Sequence, residues 1–181
     1  MFPKRRTFRT RPADAVITPE KLMAQALRWL ARRDYAAAEL QGKLELAGAT
    51  REQARDIVHQ CRAHGWQDEA RFAGVLVRSL LAKGYGPRRI QQAGQLYGVE
   101  AEALVQAMHD EGSGQEALAV PVAERWWHGH GPASGRLSGV AQDSEALLRQ
   151  KLSQTLMRRG FTAEQVRHAW QHCRTTLLAT E

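Results

Sequence analysis

From Thr50 to Cys61 the chain reads TREQARDIVHQC, and Ala54, Ile57, Val58 and Cys61 fall at i, i+3, i+4 and i+7, one apolar stripe on a helix. Thr50 and Gln53 ahead of the stripe have the T-x-x-Q spacing of a capping box: hydroxyl and amide side chains satisfy two backbone N–H groups that a helix start leaves orphaned. The pattern returns from Thr162 to Cys173 as TAEQVRHAWQHC, with Thr162 and Gln165 in the box and Val166, Ala169, Trp170 and Cys173 in the stripe. GVEAEALVQAM lies between them as a third copy. There Gly98, Val99, Leu104, Ala107 and Met108 stand where the first has Gly48, Ala49, Ala54, Ile57 and Val58, and Gly160-Phe161 opens the last copy at the same place. Each glycine suits the end of the preceding helix, where positive φ strains other residues.

The register extends upstream, since Tyr35 and Tyr85, and Leu40 and Ile90, keep the interval of Gly48 and Gly98. This predicts three units of three helices. Unit one has 18–33, 36–47 and 50–64; unit two has 68–83, 86–97 and 100–111; unit three has a first helix within 115–128, then 144–159 and 162–178. Thr18-Pro19, Asp68 and Gly86-Pro87 are suitable helix starts. Leu22, Met23, Ala26, Leu27 and Leu30 supply one further stripe, and Phe72, Val75, Leu76 and Leu80 another. The expected fold is all-α, an elongated tandem repeat with an arm at 1–17 and repeats at 18–67, 68–111 and 112–181. Each unit buries a face against its neighbour. HGHGPASGRLSGVAQD, at 128–143, reads as a flexible loop inside the third. Cys61 and Cys173 occupy equivalent inward positions in the outer units, which predicts two buried, reduced thiols far apart.

Charge narrows the kind of partner. The net charge is +7, with +6 in residues 1–67, −1 in 68–111 and +2 in 112–181. Such a balance favours nucleic acid or an acidic protein surface. No apolar run approaches the roughly 18 residues of a membrane span. The basic start is not followed by the apolar segment of a secretory signal, and two cysteines do not make a disulfide framework. The expected location is the cytoplasm. Lys21, Gln25, Arg28 and Arg32 fall at i, i+4, i+7 and i+11 opposite the apolar stripe, a cationic ridge along one helix. Arg71 and Arg78 share a face in unit two, with Lys83, Arg88 and Arg89 just beyond; Arg158, Arg159 and Arg167 carry charge in unit three. These eleven cations are the candidate partner- or DNA-binding residues. Arginine's planar fork suits carboxylates and phosphates. The arm adds Lys4, Arg5, Arg6, Arg9 and Arg11, with Phe2 and Phe8 available for stacking.

Other chemistry is sparse. Trp29, Trp66 and Trp170 fall near expected core faces or unit junctions, while Trp126 and Trp127 are adjacent and cannot point the same way. His128-Gly129-His130 lacks a third ligand at metal-site spacing. There is no G-x-x-x-x-G-K-[ST] and no H-E-x-x-H. With no acid, base and nucleophile gathered together, neither an enzyme nor a cofactor is expected.

The segment GWQDEARFAGVLVRSLLAKGYGPRRIQQAGQLYGV (65–99) resembles the central part of the RecX family, regulators of the RecA recombinase. Asp68-Glu69, Arg71-Phe72-Ala73, Lys83-Gly84-Tyr85-Gly86-Pro87, Arg89-Ile90 and Gly98-Val99 carry the likeness. ALRWLARRDYAAAEL (26–40) and LMRRGFTAEQV (156–166) resemble the family's two ends, so the similarity spans roughly 20–180. Two features depart from the family. Ala36 stands where a serine usually starts the second helix, so that cap is lost or moves to Asp34, and the 128–143 loop is longer. The resemblance implies a regulator, mainly an inhibitor, that binds the RecA–DNA filament; the expected arrangement is a monomer that lies in the filament's groove and bridges neighbouring subunits. It would restrain ATP hydrolysis, strand exchange and co-protease activity. The residues alone also fit a helical repeat protein that binds single- or double-stranded DNA through phosphate contacts.

Overall fold

The computed structural model describes residues 18–111, 115–131 and 145–177. The 1–17 arm and all but the start of the 128–143 loop lie outside the described residues, where every regular element is helical. Unit one contains α1 (Pro19–Leu30), α2 (Ala37–Leu46) and α3 (Arg51–Ala63). Unit two contains α4 (Glu69–Ala82), α5 (Pro87–Tyr97) and α6 (Ala101–Asp110). Unit three begins with a 3-10 turn (Gln115–Ala119) and continues as α7 (Val120–His130), α8 (Glu145–Arg158) and α9 (Ala163–His172), followed by a π turn (Cys173–Leu177). None of the described helices is long and apolar enough to cross a membrane.

The repeated sequence signals form repeated bonds. In α3, the Gln53 N–H donates to Thr50 Oγ1 at 3.2 Å and the Thr50 N–H to Gln53 Oε1 at 2.9 Å. The box at Thr162 and Gln165 opens α9 in the same way, at 3.3 and 2.9 Å. Asp68 accepts from the Arg71 N–H at 2.9 Å to open α4. Gly48, Gly98 and Gly160 all have positive φ, at 105°, 71° and 89°, and turn the chain between the second and third helices of their units.

Each unit has its own core. Leu22, Leu40, Leu44, Ala54, Ile57 and Cys61 belong to the first; Phe72, Val77, Ile90, Leu104 and Met108 to the second; Trp127, Leu152, Leu156, Phe161, Trp170 and Cys173 to the third. The cores interlock at their borders. Ala36 of unit one is buried in the second, and Leu81 of unit two packs against the third. Cys61 and Cys173 are free, fully buried and in different cores.

Two details, at His128–His130 and at Trp66, differ from the sequence reading, while the Trp126–Trp127 pair follows it. Helix α7 continues through His128-Gly129-His130, the start of the expected loop, because His130 Nδ1 donates to the Trp126 carbonyl at 3.0 Å and its ring stacks on Trp126. Trp127 is buried and its neighbour Trp126 only partly so, the division that adjacent helical positions impose. Trp66 sits at a unit junction, but its ring is 43% exposed and stacks on His64.

Candidate functional site

What positions the cations is the pair of unit junctions. Ala36 has no side chain to cap α2, and Asp34 does not do so. Unit two supplies the cap instead: the Glu69 carboxylate accepts from the Ala37 N–H at 3.0 Å. Buried Gln67 ties this contact down, its Nε2 donating to Glu69 Oε2 at 2.9 Å and to the Tyr35 carbonyl at 3.1 Å. Asp34 holds Arg71, whose Nε donates to Oδ1 at 2.6 Å while its Nη2 donates to the Trp66 carbonyl at 2.9 Å. The Asp34 hydrogen bond raises the Arg71 pKa above the ordinary guanidinium value.

The second junction satisfies the equivalent helix, α5, with backbone groups. The Gly86 N–H donates to the Arg159 carbonyl at 2.8 Å and the Arg88 N–H to the Gly160 carbonyl at 3.1 Å. The C-terminal end of α8 thus caps the N-terminal end of α5, with opposite dipole ends in contact. Only glycine permits this approach, since a Cβ at Gly86 would lie 2.5 Å from the Phe161 nitrogen. Gly98, at the end of α5, lies against Ala38 near the start of α2 in the corresponding way. The middle helices α8, α5 and α2 therefore follow one another head to tail.

A concentration of positive charge results at the second junction. Arg159 Nη1 donates to the carbonyls of Lys83 and Gly84 at 3.2 and 3.4 Å, holding the end of α4. Arg125 of α7 arrives at the same spot: a Cβ on Gly84 would lie 2.9 Å from Arg159 Nη1 and 3.4 Å from Arg125 Nη2. Exposed Lys83 and Arg89 lie on the adjoining backbone, and Arg158 precedes Arg159. Among the described residues, none of these five side chains forms an ion pair with a carboxylate. Like charges gathered without a counter-charge form a ready site for an anionic partner. Beside them a cleft of about 400 Å³ separates Pro87, Arg88, Gln91, Val105 and Met108 of unit two from Glu116, Thr162, Glu164 and Gln165 of unit three.

The eleven candidates thus occupy different settings. Lys21 and Arg28 are exposed along α1, Arg28 donating to Gln25 Oε1 at 2.8 Å within the helix, whereas α1 ends at Leu30 and leaves the exposed Arg32 in the turn beyond it rather than on the expected ridge. Arg71 and Arg159 join units. Arg78 pairs with Glu111 at 3.2 Å inside unit two. Lys83, Arg89, Arg158 and Arg159 come together; Arg88 lines the cleft, and Arg167 is exposed on α9. Arg125 belongs with the junction cluster although its sequence carries no repeat signal; only the fold brings it to Gly84. Among the described residues, no group of three or more His, Cys, Asp or Glu side chains could hold a metal ion.

Comparison with known proteins agrees with this architecture. The family description "RecX, second three-helix domain" matches residues 68–108, which are α4, α5 and most of α6. The chain is 36% identical over 157 residues to a regulatory protein RecX of Halorhodospira halophila, covering 87% of this chain and 91% of the relative. It is 33% identical over 149 residues to one of Stenotrophomonas maltophilia, covering 82% and 84%. The crystal structure of RecX from Lactobacillus salivarius superposes with a TM-score of 0.71 at 18% identity, covering 87% of this chain and 97% of that one. With the repeat, the glycine-mediated junctions and these relatives in agreement, the chain belongs to the RecX family of regulatory proteins.

Proposed function

We propose that this protein regulates the RecA recombinase, mainly as an inhibitor, by lying along the RecA–DNA filament and restraining it without catalytic chemistry of its own. The observation that carries this reading is the distribution, along the tandem repeat, of exposed cations that form no ion pair among the described residues. Lys21 and Arg32 lie in unit one, and Lys83, Arg89 and Arg125 lie where units two and three meet. A rod of repeats can span several subunits of a periodic partner, and bridged subunits resist the rearrangements that ATP turnover, strand exchange and co-protease activity require. In this reading the groove of the filament holds the rod, with arginines meeting carboxylates there. Contact with DNA phosphates is a second reading, favoured by the Arg125–Arg159 pair, because closely set guanidiniums also suit phosphate oxygens.

The test is single-stranded-DNA-dependent ATP hydrolysis by the cognate RecA, titrated with this protein from well below to above equimolar, beside a bare-DNA binding control at the same salt. Inhibition at substoichiometric ratios without matching affinity for bare DNA is the expected result. Tight bare-DNA binding without an effect on RecA would replace the filament reading with the second.

A further inference from the structure

Between α1 and α3 of unit one lies a groove of about 460 Å³. Met23, Leu27 and Ile57 line it together with Gln60, and Pro19 and Glu20 stand beside it where α1 begins. The corresponding seam is closed in the other two units. Met23 and Glu124 each stand five residues after the N-cap of their first helix, Thr18 or Ala119. Gln60 and His172 each stand twelve after a positive-φ glycine, Gly48 or Gly160. In unit three this pair meets across the seam, His172 Nε2 donating to Glu124 Oε1 at 2.8 Å. In unit two Arg78 of α4 lies over Gly74 and pairs with Glu111 at the end of α6 at 3.2 Å. Among the described residues no ion pair crosses the seam of unit one, where Met23 and Leu27 are half-buried.

The chain that enters the first helix is packed down in the other units. The residue just before the N-cap is buried in both: Gln67 ahead of Asp68, and Leu118 ahead of Ala119. In unit three the 3-10 turn Gln115–Ala119 packs along α9, and Leu118 joins the core that holds Ala169. Ala169 stands nine residues after Gly160, as Ile57 does after Gly48. In unit one the residue before Thr18 is Ile17, the last of the apolar run Ala15-Val16-Ile17.

We propose that Val16 and Ile17 seat in this groove against Met23 and Ile57, so that the apolar end of the arm closes the unit-one seam. The arm's cations Lys4, Arg5, Arg6, Arg9 and Arg11 are thereby anchored on unit one, whatever anionic partner they meet. Connectivity selects the occupant. Thr18 alone separates Ile17 from Pro19, and Pro19 lines the groove. Two residues of chain span about 7 Å, which brings the run directly to the groove. A segment tethered that closely acts at an effective concentration on the order of millimolar. A second copy, or an apolar segment of another protein, would have to compete with it. Covering Met23 and Leu27 takes apolar surface out of water, which supplies the driving force.

The test is methyl nuclear Overhauser spectroscopy on the full chain with labelled isoleucine and methionine. Ile17, Ile57 and Ile90 are the only isoleucines, so their signals are readily assigned. Cross-peaks from Ile17 to Met23 and Ile57 are expected. Val16→Ser/Ile17→Ser should shift the Met23 and Ile57 methyl signals and lower the melting temperature by about 4 °C. Absent cross-peaks, with unchanged Met23 signals and melting in the variant, would overturn the proposal. Cross-peaks seen only between differently labelled copies in a mixed sample would give the groove to the arm of a second copy, which also overturns it. So would a Met23 signal that the double substitution leaves in place but added RecA filaments move, since the groove would then belong to the partner.

Discussion

Gly94 gives up its side-chain space to Leu104: a Cβ on Gly94 would sit 2.2 Å from Leu104 Cδ1, inside the second core. In unit one the equivalent residues are Leu44 and Ala54, both fully buried. The large and small partners have exchanged helices while filling the same layer. Gly94→Ala is expected to cost about 1–2 kcal/mol, overpacking outweighing the helix propensity it gains. Gly94→Leu should cost more than 3 kcal/mol, and the double variant Gly94→Leu/Leu104→Ala should recover most of that loss by reproducing the unit-one pair. Urea denaturation of the parent, Gly94→Leu, Leu104→Ala and the double variant measures the coupling; strictly additive losses would rule out a shared layer.

Glu69 caps a helix that belongs to another unit, so its removal should be felt across the first junction. Glu69→Ala leaves the Ala37 N–H and one bond of the buried Gln67 amide unmet, for an expected loss of about 2 kcal/mol. Glu69→Gln keeps an acceptor and should lose less than about 1 kcal/mol. Asp34→Ala removes a partly exposed pair with Arg71 and should cost roughly 0.5–1 kcal/mol. Equal stabilities of Glu69→Ala and the parent chain in denaturant would show that α2 starts without help from unit two.

The contrast between these two sites shows what could be read from the sequence. The nine helices found among the described residues, the two capping boxes and the glycine turns were legible because each depends on neighbours three or four residues away. The Gly94–Leu104 exchange was not, since a glycine in a helical pattern does not announce which side chain fills its space. Glu69 and Arg125 were missed for a related reason: their contacts lie 32 and about 40 residues away, at places set by how the units stack. Arg71 and Arg159 looked like members of exposed faces, yet both also hold one unit to the next.

Cys173 should make stability fall in alkali. Burial, with the Glu124 carboxylate assisting, pushes its thiol up to about 11, whereas an unfolded cysteine ionises near 8.5. A raised folded-state value stabilises the native chain fully below the unfolded pKa. That contribution fades as pH rises between the two, because the unfolded state releases its proton first. The loss attributable to this thiol should be on the order of 2 kcal/mol between about pH 8.5 and 11. Cys173→Ala should be less stable at neutral pH and flatter across that window. Parallel pH profiles for variant and parent would remove the thiol as the cause.

Arg125 and Arg159 approach the same point beside Gly84 but differ in what they do for the fold, which allows binding to be separated from stability. Arg159 holds the Lys83 and Gly84 carbonyls, whereas Arg125 makes no hydrogen bond or ion pair among the described residues. Arg159→Glu is therefore expected to weaken both the fold, by about 1–2 kcal/mol, and binding to an anionic partner. Arg125→Glu should leave melting unchanged, or raise it slightly by relieving repulsion between guanidiniums, while weakening binding to RecA filaments about tenfold at low salt. Added salt should narrow the difference between Arg125→Glu and the parent, because exposed charges are screened over about 10 Å at 0.1 M. If Arg125→Glu binds like the parent at every salt concentration, the junction cluster is not where the partner sits, and the α1 ridge becomes the surface to reverse next.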